Sequence, residues 1–208
     1  MNHSKHYVWD RAVRLFHWSL VLSFIVAYMT GDDGEQLHII AGYTVLGLVL
    51  FRIVWGFIGT KHARFKDFIY SPAEVYLHAK GMISRHVKPY LGHNPLGGLM
   101  VIALLFTLIL SVVSGLKVYG IEGSGPLAET NTSYFMSSAN ASSPPGNEGE
   151  VHDGDDEEEL WEDIHEFFAN LMVLLIVLHI VGVIISSKLE KHNLVKAMVT
   201  GYKEIDKQ

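Results

Sequence analysis

Residues 161–193 read WEDIHEFFANLMVLLIVLHIVGVIISSKLEKHN, and the reading of this stretch decides the fold. From 167 to 187 it carries no charge. At about 1.5 Å per residue, an apolar helix of that length matches a hydrocarbon core of about 30 Å. The stretch also holds two histidines, His165 and His179, 14 residues apart. At about 100° per residue this interval falls within roughly 40° of a whole number of turns, so both point to one side, ~21 Å apart along the axis. Ionisable side chains in a span are costly and mark function.

Three similar runs lie upstream, at 15–30, 37–59 and 96–118. The first is short but has Trp18 and Tyr28 near its ends as interfacial anchors. The second carries one charge, Arg52, and the third none from 96 to 116. The expected fold is all-α, an integral membrane four-helix bundle forming a single membrane domain over 1–208. A basic flank (Lys5, Arg11, Arg14) gives the first run some character of a signal peptide. No A-x-A site follows it, and Gly31-Asp32-Asp33 is a poor substitute, so the run is expected to be retained.

The apolar fraction of 49% is unremarkable only because apolar runs and charged blocks average out. The chain has no cysteine. Disulfides, thiolate-held metals, iron–sulfur clusters and C-x-x-C-H haem attachment are therefore excluded, leaving 12 histidines as candidate ligands. The net charge of -6 is uneven, with more than half the acid between positions 122 and 166, where no lysine or arginine occurs. No dense basic stripe with interleaved aromatics supports nucleic-acid binding.

Basic residues cluster before the first run, between the second and third (Lys61, Arg64, Lys66, Lys80, Arg85, Lys88), and after the fourth (Lys188, Lys191, Lys196, Lys203, Lys207). The other two connections hold only Lys117. The positive-inside rule places both termini and the 60–95 loop in the cytoplasm. Within that loop, Ser71-Pro72-Ala73-Glu74 is a helix start with a capping box. Val75, Tyr76, Ala79, Met82 and Ile83 follow at helical spacing, predicting an amphipathic helix on the inner membrane surface. The 119–160 segment is Ser/Gly-rich over 124–145 and acidic over 153–159. It is expected to be a mobile periplasmic loop, either merely solvated or a docking surface for a basic partner.

His17 and His38, with His165 and His179, lie in or at the ends of the apolar runs. Helix direction puts His17 and His179 near the cytoplasmic face and His38 and His165 near the outer face. Two pairs at two depths form the ligand set for two six-coordinate haems, unless the histidines only hydrogen-bond between helices. His3, His6, His62, His78, His86, His152 and His192 are expected on the surface, with His93 capping the third helix. Gly42, four residues after His38, and Gly182, three after His179, leave room for a porphyrin or serve helix packing, as do Gly47, Gly56 and Gly115. Arg52 is 14 residues beyond His38, on the same face at the inner level. It is expected to pair with haem propionates, the alternative being that it snorkels to the inner surface.

These residues carry a resemblance. Arg14-Leu15-Phe16-His17-Trp18, His38-x-x-x-Gly42, Arg52-x-x-Trp55-Gly56, Gly92-His93-Asn94-Pro95-Leu96-Gly97-Gly98, Trp161-x-x-x-His165 with His179, and Lys191-His192-Asn193-Leu194 occur in order. Together they resemble the prokaryotic cytochrome b561 family, which includes di-haem quinone-linked cytochromes and the cytochrome b subunits of nickel–iron hydrogenases. The resemblance implies two haem b groups with His17, His38, His165 and His179 as axial ligands. It further implies electron transfer at the bacterial inner membrane between quinone and a periplasmic partner, such as a c-type cytochrome or a hydrogenase. The long acidic outer segment departs from the family pattern.

The leading functional expectation is thus a di-haem cytochrome b, with a stand-alone superoxide–quinone oxidoreductase as the alternative. A divalent-metal transporter is the third reading. It fits poorly, because transport sites gather at one depth whereas these histidines occupy two.

Overall fold

The structure, a computed structural model, describes residues 3–31, 36–85, 90–128 and 152–206. Most of the Ser/Gly-rich segment, together with Asp32, Asp33, His86 and Lys88, lies outside the described residues. Four long helices dominate: α1 (Arg11–Met29), α2 (Gln36–Ile58), α4 (Pro95–Ile121) and α5 (His152–Leu189). Each is long and apolar enough to cross a membrane. Their outward faces carry bare apolar side chains, among them Leu15, Phe57, Phe106 and Phe167, each more than 60% exposed. Such surface suits lipid and not water.

Local chemistry fixes where the helices begin. The Asp10 carboxylate accepts from the Val13 amide at 2.8 Å and starts α1. The same carboxylate accepts from the Thr60 hydroxyl and from the Trp55 indole at 3.2 Å, tying α1 to the far end of α2. Burial pushes the Asp10 carboxyl up, but these hydrogen bonds outweigh it and hold it below its ordinary value. At α4, the Asn94 side chain accepts from the Gly97 amide at 2.7 Å, and Pro95 opens the first turn. Asn94, not His93, is therefore the cap, because the shorter side chain reaches back to the helix amides. Short helix α3 (Pro72–Ile83) has the expected capping box, with Glu74 accepting from the Ser71 amide at 3.0 Å.

Three features differ from the sequence reading. Helix α5 begins at His152, so the acidic run is helical where a loop was expected. Acidic side chains at a helix N-terminus complement its dipole, which offsets their mutual repulsion. With 38 residues, α5 is ~57 Å long and stands well clear of a 30 Å core. The chain ends also pair: β1 (His3–Tyr7) and β2 (Tyr202–Asp206) form an antiparallel ribbon with Tyr7 opposite Tyr202. Short helix α6 (Leu194–Thr200) leads into β2 through Gly201, whose φ of +88° permits the reversal. Finally, Lys203 of the basic C-terminal cluster is buried. Its ammonium lies 3.0 Å from Glu190, both side chains 2% exposed, and also donates to the Tyr90 carbonyl. Asn94 donates to the other Glu190 oxygen at 2.9 Å.

Both chain ends, the 59–94 connection and the cytoplasmic-side residues of the sequence reading thus meet at one end of the helices. Trp9 packs on His93 there, with ring centroids 4.5 Å apart. The core between the helices is a dry layer of Val45, Val49, Leu108 and Met172, flanked by Leu20 and Phe24. Val45 falls seven residues from both His38 and Arg52, and Met172 seven from both His165 and His179. The apolar layer therefore sits midway between the two polar levels.

Candidate functional site

At the end away from the chain termini, α2 and α5 bring His38 and His165 together, with ring centroids 6.0 Å apart and planes at 89°. Both rings are held from behind. His38 Nδ1 lies 2.8 Å from the Ala27 carbonyl, near the end of α1. His165 Nδ1 lies 2.9 Å from the Ser111 carbonyl and 3.2 Å from the Ser114 hydroxyl, both on α4. A carbonyl only accepts, so each Nδ1 carries the proton and each Nε2 keeps its lone pair. This is how a metal-ligating imidazole is oriented. Gly115 completes the seat: a Cβ there would meet the His165 ring at 2.9 Å.

At the other end, His17 of α1 and His179 of α5 lie close enough to interact electrostatically. The His17 ring meets Trp18 edge-on at 5.0 Å. Arg52 is only 5% exposed, with its guanidinium against the faces of Phe65 at 5.1 Å and Phe68 at 5.6 Å. These rings cover it, so the side chain does not snorkel to the surface. His93 is enclosed by Trp9 and Phe68, and burial drives its pKa down to about 3, keeping it neutral. His78 is buried too, 6% exposed beside Tyr90, where a surface residue was expected.

Five buried nitrogens at this end have no hydrogen-bond partner among the described residues: Arg14 Nε, His17 Nδ1, Arg52 Nη1, His78 Nε2 and His93 Nδ1. Buried polar atoms are normally satisfied, so the set calls for polar partners, and the two arginine nitrogens for acceptors. Half-buried Gly42 and Gly182 face open space, with nothing within 4 Å of an added Cβ. Gly56, by contrast, makes room for the Phe65 ring.

A haem fits the separation of the His38 and His165 rings. Two metal–nitrogen bonds of about 2 Å plus two half-rings span roughly 6 Å, the separation of His38 and His165. Porphyrin carboxylates are the kind of acceptor that the unpartnered Arg14 and Arg52 nitrogens at the other end lack. Among the described residues no group of three or more His, Cys, Asp or Glu is arranged to hold a metal ion.

Ser111, Ser114, Asp10 and His93 were not singled out as functional in the sequence. The two serines carry a faint signal, hydroxyls three apart just before a glycine in an otherwise apolar helix. Their role depends on how α4 is rotated against α5, which one helix alone does not reveal.

The family described as prokaryotic cytochrome b561 matches residues 8–201. The chain is 29% identical over 150 residues to the probable Ni/Fe-hydrogenase B-type cytochrome subunit of Rhizobium leguminosarum bv. viciae, covering 57% of this chain and 61% of that protein. It is 23% identical over 227 residues to the corresponding protein of Cupriavidus necator, covering 95% and 86%. The Rhodobacter capsulatus protein of the same description is 21% identical over 235 residues, covering 95% and 80%. The chain thus spans about 61% of the length of the first of these relatives. No solved structure matches significantly. With the family matched over nearly the whole chain and four helices apolar enough to cross the bilayer, the chain belongs to the prokaryotic cytochrome b561 family, as a multi-pass inner-membrane protein.

Proposed function

We propose that the protein is a di-haem cytochrome b that carries electrons between a periplasmic redox partner and the membrane quinone pool. The observation that carries this reading is the His38/His165 pair, with ring centroids 6.0 Å apart and each Nδ1 held by a backbone carbonyl of another helix. His38 and His165 hold the outer haem and His17 and His179 the inner one, and each group supplies reversible one-electron iron chemistry. Arg52 donates to the inner propionates, Gly42 leaves room beside the outer ring, and the apolar layer of Val45 and Met172 excludes water between the levels. Both termini lie in the cytoplasm. A hydrogenase or a c-type cytochrome is the partner that the named relatives and the acidic start of α5 favour.

A dithionite-reduced minus oxidised spectrum, with haem quantified per chain, tests the proposal. Two low-spin b haems are expected. His38→Ala and His165→Ala should each remove the same one, and His17→Ala and His179→Ala the other. Protein without haem, expressed with ample haem supply, would sink the reading.

A further inference from the structure

We propose that α3 and the start of α4 form a binding site for an anionic phospholipid of the leaflet at the chain-terminal end. Its acyl chain lies in the groove between the two helices, and its phosphate sits on Lys80 and Arg85. The inference rests on the four membrane spans and not on the haem ligands.

Helix α3 packs against α4. Just before α3, the Tyr70 hydroxyl donates to the His93 carbonyl at 2.9 Å, which ties one wall of the groove to the start of α4. Between them lies a groove of about 340 Å³, lined by Tyr70, Pro72, Val75, Tyr76, Ala79 and Leu99. Pro72, Val75, Tyr76 and Ala79 fall three and four residues apart, so they form one stripe along α3. The two tyrosine hydroxyls are the only polar side-chain groups in this lining. Leu99 belongs to a membrane span and is 51% exposed, so the groove opens on a side that suits lipid.

Lys80 and Ile83 continue the same stripe, and Arg85 follows directly after the helix. Tyr76, Leu77 and Ile83 are each more than 60% exposed. A cation set among bare apolar and aromatic side chains fits the headgroup boundary better than water or hydrocarbon. The one acid of α3, Glu74, is already engaged by the Ser71 amide at 3.0 Å and the Ser71 hydroxyl at 2.8 Å. Neither Lys80 nor Arg85 is ion-paired among the described residues. An apolar slot ending at two cations that no carboxylate neutralises matches one molecule with both parts, a phospholipid of net negative charge. A zwitterionic headgroup would bring its own ammonium beside the same cations.

Native mass spectrometry of the holoprotein, with dioleoyl phosphatidylglycerol or dioleoyl phosphatidylcholine added to the detergent, counts bound lipid and gives its apparent Kd. One phosphatidylglycerol per chain should bind more tightly than phosphatidylcholine. Lys80→Gln should weaken phosphatidylglycerol roughly three- to tenfold, as for one cation at an anionic surface, and leave phosphatidylcholine unchanged. Ala79→Phe fills the groove and should weaken both lipids more than about tenfold, the worth of two buried methylenes. An unchanged thermal midpoint shows that a variant is folded; should Ala79→Phe lower it, Lys80→Gln decides. Equal affinity for the two lipids, or wild-type affinity in either folded variant, overturns the inference. So does a lipid-free dimer that Ile83→Lys splits into monomers, which would give the face to a second copy of the chain.

Discussion

An alanine methyl at position 115 would sit 2.9 Å from the His165 ring, closer than side-chain carbons pack. The ring cannot retreat freely, because its Nδ1 is anchored on the Ser111 carbonyl of the same helix. Gly115→Ala should therefore tilt the imidazole and empty the outer site while sparing the inner one. Haemochrome assay should fall from two haems per chain to about one, and two retained haems would show that the seat is not tight. At this scale the sequence was partly legible. The 14-residue interval between His165 and His179 depends only on helix periodicity, and so does the placing of Arg52. The orienting groups were not legible. Ala27 and Ser111 act through backbone carbonyls, which carry no side-chain signature. His78 and His93 read as surface and cap because their burial is imposed by segments far away in the chain.

Among the elements, the closure of the chain ends is the least expected and the most exposed to test. Lys203 and Glu190 form a 3.0 Å ion pair with both side chains 2% exposed. Removing one partner strands a buried charge, which typically costs about 3–5 kcal/mol. Lys203→Met should lower the thermal midpoint of the detergent-solubilised protein markedly. The double change Lys203→Met with Glu190→Leu should recover most of the loss, since an apolar pair leaves no charge unpaired. Equal damage in the single and double variants would point to packing, not charge. The spans were legible because length and apolarity are one-dimensional properties, and the α3 capping box because its partners are three residues apart. The β1–β2 ribbon joins segments at opposite ends of the chain, and its residues show no alternation of apolar and polar side chains that would announce a half-buried strand. The acidic run reads as loop by composition, yet α5 continues through it because the dipole of a long helix accepts acid at its start.

For the molecule as a whole, the side on which each level faces determines which partner can reach it. The paired chain ends, Asp10 with Thr60, and Trp9 with His93 gather the basic segments at one end, while the acidic start of α5 stands at the other. On the positive-inside rule this charge asymmetry supports the proposed orientation, with the basic end in the cytoplasm. The chain has no native cysteine, so an introduced thiol reports its own position without background. Lys61 and Glu159 are both exposed and are separated in sequence by a single span, α4. A membrane-impermeant maleimide should label Glu159→Cys in intact spheroplasts and Lys61→Cys only in inverted vesicles. The reverse pattern would turn the acidic face and the His38/His165 level toward the cytoplasm, moving any docking partner with them while leaving the ligand pairs intact. Labelling of both thiols from one side would mean that α4 does not cross, and the two-level arrangement would fail with it. The expected pattern leaves the His38/His165 level as the one within reach of a periplasmic donor.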